Sequence, residues 1–303
     1  MKSLTIATEN IRLTALNYGA IIQKLEVKNA AEQFINVVIG HEDPERYLSD
    51  PYYLGACVGR FAGRIGNGRF SLNAKEYQLH VENGVHLHGG KEGFSKKYWE
   101  IDTVGNGREP FIRFTYHSKH LEEHYPGNLE ATVTYQLTQE KELKITHFAR
   151  TDRPTLVNLT NHSYFNLDGN SKEIDNHLLR MSASHYLEVD NKLIPTGRKL
   201  AVEEIHYNFT KIRAIGETRM DDTFIFGENK KEVIHLESAQ SGLSMKLSTD
   251  QPAAVVYTPL DFGAICFETQ NFPDAPNKTH FPSAVLHPGE TYKNESIFKF
   301  EVN

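Results

Sequence analysis

The sequence predicts an all-β protein built as a large antiparallel β-sandwich. Apolar and polar residues alternate in many short segments, and this period of two is typical of half-buried strands. No segment keeps a period of 3.6 over the roughly eleven residues that a convincing amphipathic helix needs. Two packed antiparallel sheets accommodate many short strands separated by turn residues better than other architectures do.

The alternation also places the strands along the chain. The clearest predicted strands cover residues 11–15, 25–27, 34–39, 112–116, 131–137, 143–145, 243–247 and 298–302. The charged turn at residues 140–142 predicts a hairpin between the strands that flank it. Asp43 before Pro44 predicts a short helical connector, and residues 210–220 are predicted to form a short helix.

Length and composition bound the class of protein. The chain has 303 residues, of which 39% are hydrophobic and 24% charged, enough for a substantial core. All-β sandwiches commonly reach about 200 to 250 residues as one domain. No repeat, low-complexity tract or long linker divides the chain. We therefore expect a single domain over residues 1–303.

Charge and the lengths of the apolar runs exclude several partners. The formal net charge is -6 and the pI is about 6.2, whereas nucleic-acid binders ordinarily carry a basic patch. Anionic membranes are disfavoured for the same reason. No stretch approaches the roughly 20 apolar residues of a membrane-spanning helix. We expect neither nucleic acid nor a membrane as a partner.

The cysteines and the first residues indicate a compartment. Cys57 and Cys266 lie far apart and form no CxxC unit, so neither a zinc ribbon nor a disulfide framework is predicted. The first ten residues contain one lysine and lack the apolar run of a secretion signal. A cytoplasmic protein with reduced thiols is the simplest interpretation.

Residues 155–167 form an unusually dense polar stretch. If the segment is extended, Asn158, Thr160, His162 and Tyr164 lie on one face. Each buried amide without a partner costs about 1 to 3 kcal/mol, so a core location requires a partner for every one. A polar pocket that receives a hydroxyl-rich ligand satisfies them more easily.

Residues 58–69 combine glycines with Arg60, Arg64 and Arg69. The segment lacks the Gly-Lys-Ser/Thr ending of a P-loop and the GxGxxG spacing of a dinucleotide turn. Two interpretations remain open, a glycine-rich bend with solvated arginines or a clamp for a ligand. Arg60 and Arg64 are four residues apart and share a face if the segment is extended.

His86 and His88 precede Gly89 and Gly90, where a ligand can approach the backbone closely. Their spacing predicts that both lie on one face of a strand. A metal site would need a third ligand of known position, and a structural histidine is more common. We therefore predict no metal.

Three carboxylates stand out in the second half of the chain. Asp221 and Asp222 point to opposite sides if extended, and a solvated turn is the default for such a pair. Glu268 follows the apolar run 265–267, which predicts a buried carboxyl. Burial disfavours the ionised form and is one way to make a general base. A lone glutamate at a strand end is otherwise more often a surface residue.

Several of these stretches occur together with a specific C-terminal pattern. The segments are Gly59–Ile65, Leu87–Gly90, Asn158–Leu167, Asp221 with Phe224, Glu268–Asp274, and Leu286–Glu290 with Tyr292. In this order, over positions 59 to 292, they resemble the aldose 1-epimerase (galactose mutarotase) family. The resemblance implies the galactose mutarotase-like supersandwich fold. It also implies an isomerase that interconverts the α and β anomers of free aldohexoses such as glucose and galactose.

The same resemblance implies a catalytic role for three residues. His162 would be the general acid that protonates the ring oxygen. Glu268 would be the general base that takes the proton of the anomeric hydroxyl, and His88 would assist near the ring oxygen. Proton transfer is most effective when the pKa lies near the working pH. An unperturbed histidine meets this condition, whereas Glu268 would need a raised pKa.

Arg64, Asp221 and Asn161 would bind the hydroxyl groups of the sugar in such a protein. Two positions depart from the usual pattern of the family. Gly63 stands where many members carry asparagine, and Asp222 stands where many carry histidine. Both lie at the edge of the implied site, so we expect them to affect substrate preference.

The implied ligand is a monosaccharide, and the chemistry needs neither a metal nor any other cofactor. We expect a monomer or a weak homodimer. Two alternatives remain open. A hexose 6-phosphate mutarotase would add a basic pocket to which Arg60 or Arg69 contributes, and a non-catalytic carbohydrate-binding protein would have lost the acid or the base. A glycoside hydrolase would want two catalytic carboxylates, and only Glu268 has a suitable setting.

Overall fold

The computed structural model describes residues 1–169 and 172–302, and short strands make up most of its regular structure. The first strands are β1 Ser3–Ala7, β2 Ile11–Leu16, β3 Ile22–Lys28, β4 Phe34–Asn36, β5 Cys57–Val58, β6 Arg64–Gly66, β7 Arg69–Leu72, β8 Lys75–Gln78, β9 Val85–Leu87, β10 Glu100–Gly105, β11 Phe111–Ser118, β12 Leu129–Leu137 and β13 Glu142–Thr151. The later strands are β14 Thr155–Leu156, β15 Thr160–Asn161, β16 Tyr164–Phe165, β17 Leu178–Met181, β18 Ala183–Val189, β19 Pro195–Ala201, β20 Arg213–Ala214, β21 Asp221–Phe226, β22 Ile234–Ser238, β23 Leu243–Thr249, β24 Ala253–Tyr257, β25 Ile265–Gln270, β26 Val285–Leu286 and β27 Tyr292–Val302. The 3-10 helices are η1 Pro44–Ser49, η2 Phe94–Lys96, η3 Glu122–His124, η4 Val202–Glu204 and η5 Ala275–Asn277.

Two large antiparallel sheets form the body of the molecule. One has nine strands in the order β10-β11-β12-β13-β27-β23-β22-β17-β20, and the other has six in the order β16-β25-β24-β21-β18-β19. Strands β1 to β4 form a further sheet, and β14-β26, β15-β5, β6-β9 and β7-β8 form pairs. The predicted all-β class and large antiparallel sandwich are confirmed.

The main core lies between the two large sheets. Phe298 from the nine-stranded sheet stacks on Phe165 from the six-stranded sheet, with ring centroids 5.1 Å apart, and Phe267 belongs to the same buried cluster. Because side chains alternate along a strand, Phe267 on the core face sends Cys266 and Glu268 to the opposite face of β25. That opposite face carries the candidate site.

Most of the local predictions are confirmed. The predicted strands coincide with β2, β3, β4, β11, β12, β13, β23 and β27, and Leu137 pairs with Leu143 at the predicted hairpin. Asp43 caps η1 by accepting the backbone N–H of Glu45.

The helix predicted for residues 210–220 is wrong. This segment contains β20, whose backbone pairs with β17 across the edge of the nine-stranded sheet, so its hydrogen bonds go to a neighbouring strand instead of to its own next turn. No helix within the described residues is long and apolar enough to cross a membrane.

Candidate active site

A cavity of about 250 Å³ opens on the face of the six-stranded sheet that points away from the core. Five of the six predicted site residues line it, namely His88, His162, Glu268, Arg64 and Asp221. They come from separate parts of the chain, and the sheet brings them together because their strands or adjoining loops meet at this face.

Glu268 occupies the middle of β25, where every residue is buried. Its strand pairs it with Val255 of β24, and both side chains line the cavity. The carboxyl is only 2% exposed, and its Oε2 atom has no hydrogen-bond partner among the described residues. The predicted burial of this carboxyl is confirmed, and the surface alternative is wrong.

His162 lies between β15 and β16, and its backbone is held on both sides. Its N–H donates to the carbonyl of Ala56 at 2.9 Å, and its own carbonyl accepts the N–H of Gly55 at 3.0 Å. The imidazole Nδ1 lies 3.5 Å from Sγ of Cys266. Its Nε2 lies 3.5 Å from Oε1 of Glu268, so the ring stands between a thiol and a carboxyl.

The polar stretch 155–167 is not one extended strand, because it is divided among β14, β15 and β16. Its amides find partners on the backbone of the protein. The Asn158 side chain donates to the carbonyl of Ala62 at 3.1 Å, and Asn161 donates to the carbonyl of Gly55 at 2.9 Å. A ligand is therefore not needed to satisfy them.

Asn161 does not line the cavity, and this corrects the expectation that it binds the sugar. Its amide is occupied by Gly55, and its Oδ1 accepts the N–H of Ser163 at 3.1 Å. Since the N–H of Gly55 also bonds the carbonyl of His162, Asn161 braces the turn that carries the imidazole.

His86 and His88 do not share a face, which overturns the prediction from their spacing. His88 adopts a left-handed backbone conformation with φ of 50°, so its side chain leaves the regular alternation of β9. His86 is buried between the carbonyl of His80, at 2.8 Å, and the hydroxyl of Tyr125, at 2.6 Å. Only His88 reaches the cavity.

The ligand atoms of His88, His162 and Glu268 lie within 4.8 Å of one another, a spacing that suits a three-ligand metal site. The protonation of His88 opposes that use. Its Nδ1 accepts the backbone N–H of Gly63 at 3.3 Å, so the proton of the neutral ring resides on Nε2. A metal would need an unprotonated nitrogen. The group suits proton transfer and hydrogen-bond donation better than metal binding.

Arg64 and Asp221 form an ion pair at the mouth of the cavity. Nη2 of Arg64 donates to Oδ2 of Asp221 at 3.0 Å, and both side chains are about one-quarter exposed. Asp222 points the other way and accepts the hydroxyl of Tyr207, so the predicted opposite orientation of the two carboxylates is confirmed. They begin strand β21, and the solvated turn assumed by default is wrong.

Arg60 and Arg69 do not line this cavity, so neither supplies the basic pocket of the alternative hexose 6-phosphate mutarotase. Arg69 is exposed and donates to Gln78 at 2.6 Å. Arg60 is 2% exposed and lies away from Arg64, so neither a shared face nor a solvated guanidinium is found. Its guanidinium donates to the carbonyls of Ser118, Lys119, Pro126 and Gly127.

Burial shifts the pKa values of the site residues. Desolvation, aided by the charge of Asp221 and opposed by Arg64, raises the pKa of Glu268 to about 8. The predicted elevation is confirmed. Desolvation also lowers the pKa of His162 to about 4, so the expectation of an unperturbed histidine is wrong. Burial, with the charges of His162 and Arg64, holds the pKa of His88 well below its usual range.

Sequence reasoning missed Tyr53, whose ring touches both imidazoles. Its centroid lies 4.9 Å from that of His88 and 5.8 Å from that of His162. Tyr53 has a positive φ of 57°, which is unusual for a bulky residue and often marks a functional position. No local pattern announces such a conformation. Cys266 was also missed as a neighbour of His162, although its position two residues before Glu268 placed both on one strand face.

Comparison with known proteins gives the family. The family model of aldose 1-epimerase matches residues 2–299. The chain is 35% identical to the galactose mutarotase of Bos taurus, with 100% of this chain and 94% of the relative covered. It is 32% identical to the aldose 1-epimerase of Escherichia coli strain K12, with 95% and 91% covered.

Solved structures agree with these relatives. An aldose epimerase homologue from C. elegans superimposes with a TM-score of 0.92 at 27% identity, over 99% of both chains. A galactose 1-epimerase from Lactobacillus acidophilus superimposes with a TM-score of 0.88 at 26% identity, over 99% of this chain and 94% of the other. With a family model across nearly its whole length and relatives above 30% identity, the chain belongs to the aldose 1-epimerase family.

Proposed function

We propose that this protein interconverts the α and β anomers of free aldohexoses, with glucose and galactose as the first substrates to test. One observation carries the proposal: an imidazole and a carboxyl, His162 and Glu268, face the same cavity with Nε2 and Oε1 3.5 Å apart. Membership of the family and relatives named galactose mutarotase support the same chemistry.

The reaction moves one proton off the sugar and one onto it. Glu268 takes the proton of the O1 hydroxyl while His162 delivers a proton to the ring oxygen O5, so the C1–O5 bond breaks and C1 becomes an aldehyde. Rotation about C1–C2 turns the other face of the carbonyl toward O5. Reclosure returns the proton from O5 to His162 and the proton from Glu268 to O1, which leaves the enzyme unchanged and the anomer inverted.

This cycle needs the pair to hold one proton in total. With a pKa near 4 for His162 and near 8 for Glu268, the empty pair carries one proton across neutral pH, on the carboxyl. A protonated Glu268 beside a neutral His162 is also the protonation state of the pair when the sugar is in its open-chain form. A bound pyranose places hydroxyl donors against the unpartnered Oε2 of Glu268, which favours the carboxylate and moves the proton to the imidazole.

The other cavity residues suit binding. His88 presents a fixed Nε2–H donor, because its Nδ1 is occupied by Gly63, and we assign it to an oxygen near the reacting centre. Arg64 donates and Asp221 accepts hydrogen bonds from hydroxyl groups, and their mutual contact at 3.0 Å fixes both orientations. Asn161 is assigned to positioning His162 instead of to the sugar.

Polarimetry of freshly dissolved α-D-glucose and α-D-galactose tests the proposal. The protein should accelerate the drift in rotation, and Glu268→Gln and His162→Gln should each lower the rate by about 10² to 10⁴, the usual contribution of a positioned proton-transfer group. Glu76→Gln, on an exposed strand outside the cavity, serves as a matched control. Sugar binding without any acceleration by the unmutated protein would identify a carbohydrate-binding module and refute the enzyme.

We further propose that the protein acts in the cytoplasm as a monomer or weak homodimer. Cys57 and Cys266 are both free and buried, which suits a reducing compartment. All the residues assigned to the reaction come from one chain, so the chemistry requires no partner subunit. Cell fractionation and light scattering across a concentration series measure the two properties.

A further inference from the structure

A second cavity, of about 420 Å³, adjoins the sugar cavity. Tyr53, Arg64 and Leu87 line both, so these three side chains form the boundary between them. A sugar ring held by Arg64 therefore has a neighbouring space into which a substituent can extend without leaving the protein.

The second cavity is cationic. Lys91, Lys96 and Lys192 line it, and within the described ranges none of the three forms an ion pair with a carboxylate. Its one acidic residue, Glu82, already lies 3.4 Å from Nε2 of His80. The excess of positive charge stands out in a chain whose formal net charge is -6.

One backbone hydrogen bond and one side-chain contact place Lys91 and Lys192 beside this space. The N–H of Lys91 donates to the Glu123 carboxylate at 3.1 Å, which fixes the loop that carries it. Nζ of Lys192 lies over Gly84, so close that a Cβ there would be 2.8 Å away. The ammonium of the β18–β19 turn thus reaches across to the β8–β9 loop.

We propose that this second cavity is a subsite for an anionic group, a phosphate or a carboxylate, carried by the aldose whose ring occupies the first cavity. The proposal rests on the proposed mutarotase function and extends its substrate class to aldose phosphates or uronic acids. Arg60 and Arg69 are committed elsewhere, so the three lysines supply the positive charge. Ammonium groups suit this use because they act as point charges toward phosphate and carboxylate oxygens.

Exchange NMR at anomeric equilibrium tests the subsite, since it needs no pure anomer. The rates of α–β exchange are measured for glucose, glucose 6-phosphate and glucuronic acid with the unmutated protein and with the triple variant Lys91→Ala/Lys96→Ala/Lys192→Ala. We expect kcat/KM for the anionic sugars to fall about tenfold, the sum of several modest exposed charge contacts. The value for glucose should change less than about twofold. High salt should reproduce the loss for the anions alone.

A second triple variant, Lys2→Ala/Lys211→Ala/Lys231→Ala, removes the same charge from exposed sites outside both cavities and should leave all three rates unchanged. A loss for glucose 6-phosphate alone assigns the subsite to phosphate, and a loss for both anions assigns it to anionic groups in general. Equal losses for glucose and the anions, or no loss, overturn the subsite while the mutarotase function stands. If the unmutated protein exchanges none of the three sugars, both proposals fall.

Discussion

Nε2 of His162 and Oε1 of Glu268 lie 3.5 Å apart, and both side chains are at least 95% shielded from solvent. At this distance the two groups titrate as a pair, and their common proton count determines what the site can do. Burial acts on them in opposite senses, raising the pKa of the Glu268 carboxyl and lowering that of the His162 imidazole, so the singly protonated pair covers a wide pH range.

The first prediction concerns the pH dependence of the reaction. Below a pH of about 4 the pair holds two protons and lacks a base, and above about 8 it holds none and lacks an acid. We expect kcat/KM, which reports the free enzyme, to form a bell with limbs near these values. Polarimetry corrected for the spontaneous rate measures it. If kcat/KM instead changed in a single step centred between pH 6 and 7, the histidine would have an unperturbed pKa, and the assignment of the His162–Glu268 pair would be contradicted.

The second prediction concerns stability. The folded pKa of Glu268, about 8, lies above the unfolded value of about 4.3. The protonated form therefore stabilises the fold below pH 4.3, and this stability is lost as the pH rises toward 8, at up to about 1.4 kcal/mol per pH unit. The Glu268→Gln variant does not lose stability in this way, because glutamine does not ionise. We expect urea unfolding at pH 5, 7 and 8.5 to show that the free energy of unfolding of the variant, relative to that of the unmutated protein, increases at each step.

The comparison isolates one group between pH 5 and 8.5, because the buried His86, His88, His147 and His162 have lowered pKa values and stay neutral over this range in both proteins. Because the pKa values of these histidines are lowered, they affect stability only at lower pH, where their protonation destabilises the fold. Parallel stability curves for the two proteins would mean that Glu268 is not strained by burial.

The third prediction assigns a positioning role to Cys266. Its Sγ lies 3.5 Å from Nδ1 of His162, and burial holds the thiol pKa well above its usual range, so the group stays neutral. Cys266→Ser places a stronger acceptor against the Nδ1–H of the imidazolium and should raise the lower limb of the pH profile by about 0.5 to 1 unit, the equivalent of a hydrogen bond of about 1 kcal/mol.

Cys266→Ala removes the acceptor and should move the same limb to lower pH. Both substitutions leave Glu268 in place, so the upper limb should stay near 8. Identical profiles for the serine and alanine variants would restrict Cys266 to packing.

The fourth prediction separates two arginines of the same glycine-rich segment. Arg60→Met strips hydrogen bonds from four carbonyls, three of them buried, and should lower the free energy of unfolding by about 3 kcal/mol or more, with the folded fraction still active. Arg64→Met should change stability by less than about 1 kcal/mol, because its ion pair is partly exposed. It should lower kcat/KM about 10- to 100-fold through lost hydrogen bonds to the sugar.

Urea unfolding and polarimetry on the same preparations measure both quantities. Loss of activity in folded Arg60→Met, equal to that in Arg64→Met, would contradict the separation of roles.

Patterns with a short range were predictable from the chain. The alternation at residues 131–137 and 143–145, with the charged turn between them, predicted a hairpin that the fold contains, because strand faces follow from a period of two residues. The apolar run before Glu268 indicated a buried carboxyl and hence the direction of its pKa, although a surface position stayed open. The ordered motifs from Gly59 to Tyr292 predicted the family, since their spacing reflects one shared architecture.

Other properties were decided only when distant segments met. Three properties depend on local departures of the backbone from ideal strands. They are the choice between Arg60 and Arg64 as the residue that faces the cavity, the choice between a ligand and the carbonyl of Gly55 as the partner of Asn161, and the direction of the His88 side chain. The low pKa of His162 likewise follows from burial by segments far along the chain. A sequence pattern specifies which face a residue takes within its own element, but the partner on that face, and with it the charge state, is set by tertiary packing.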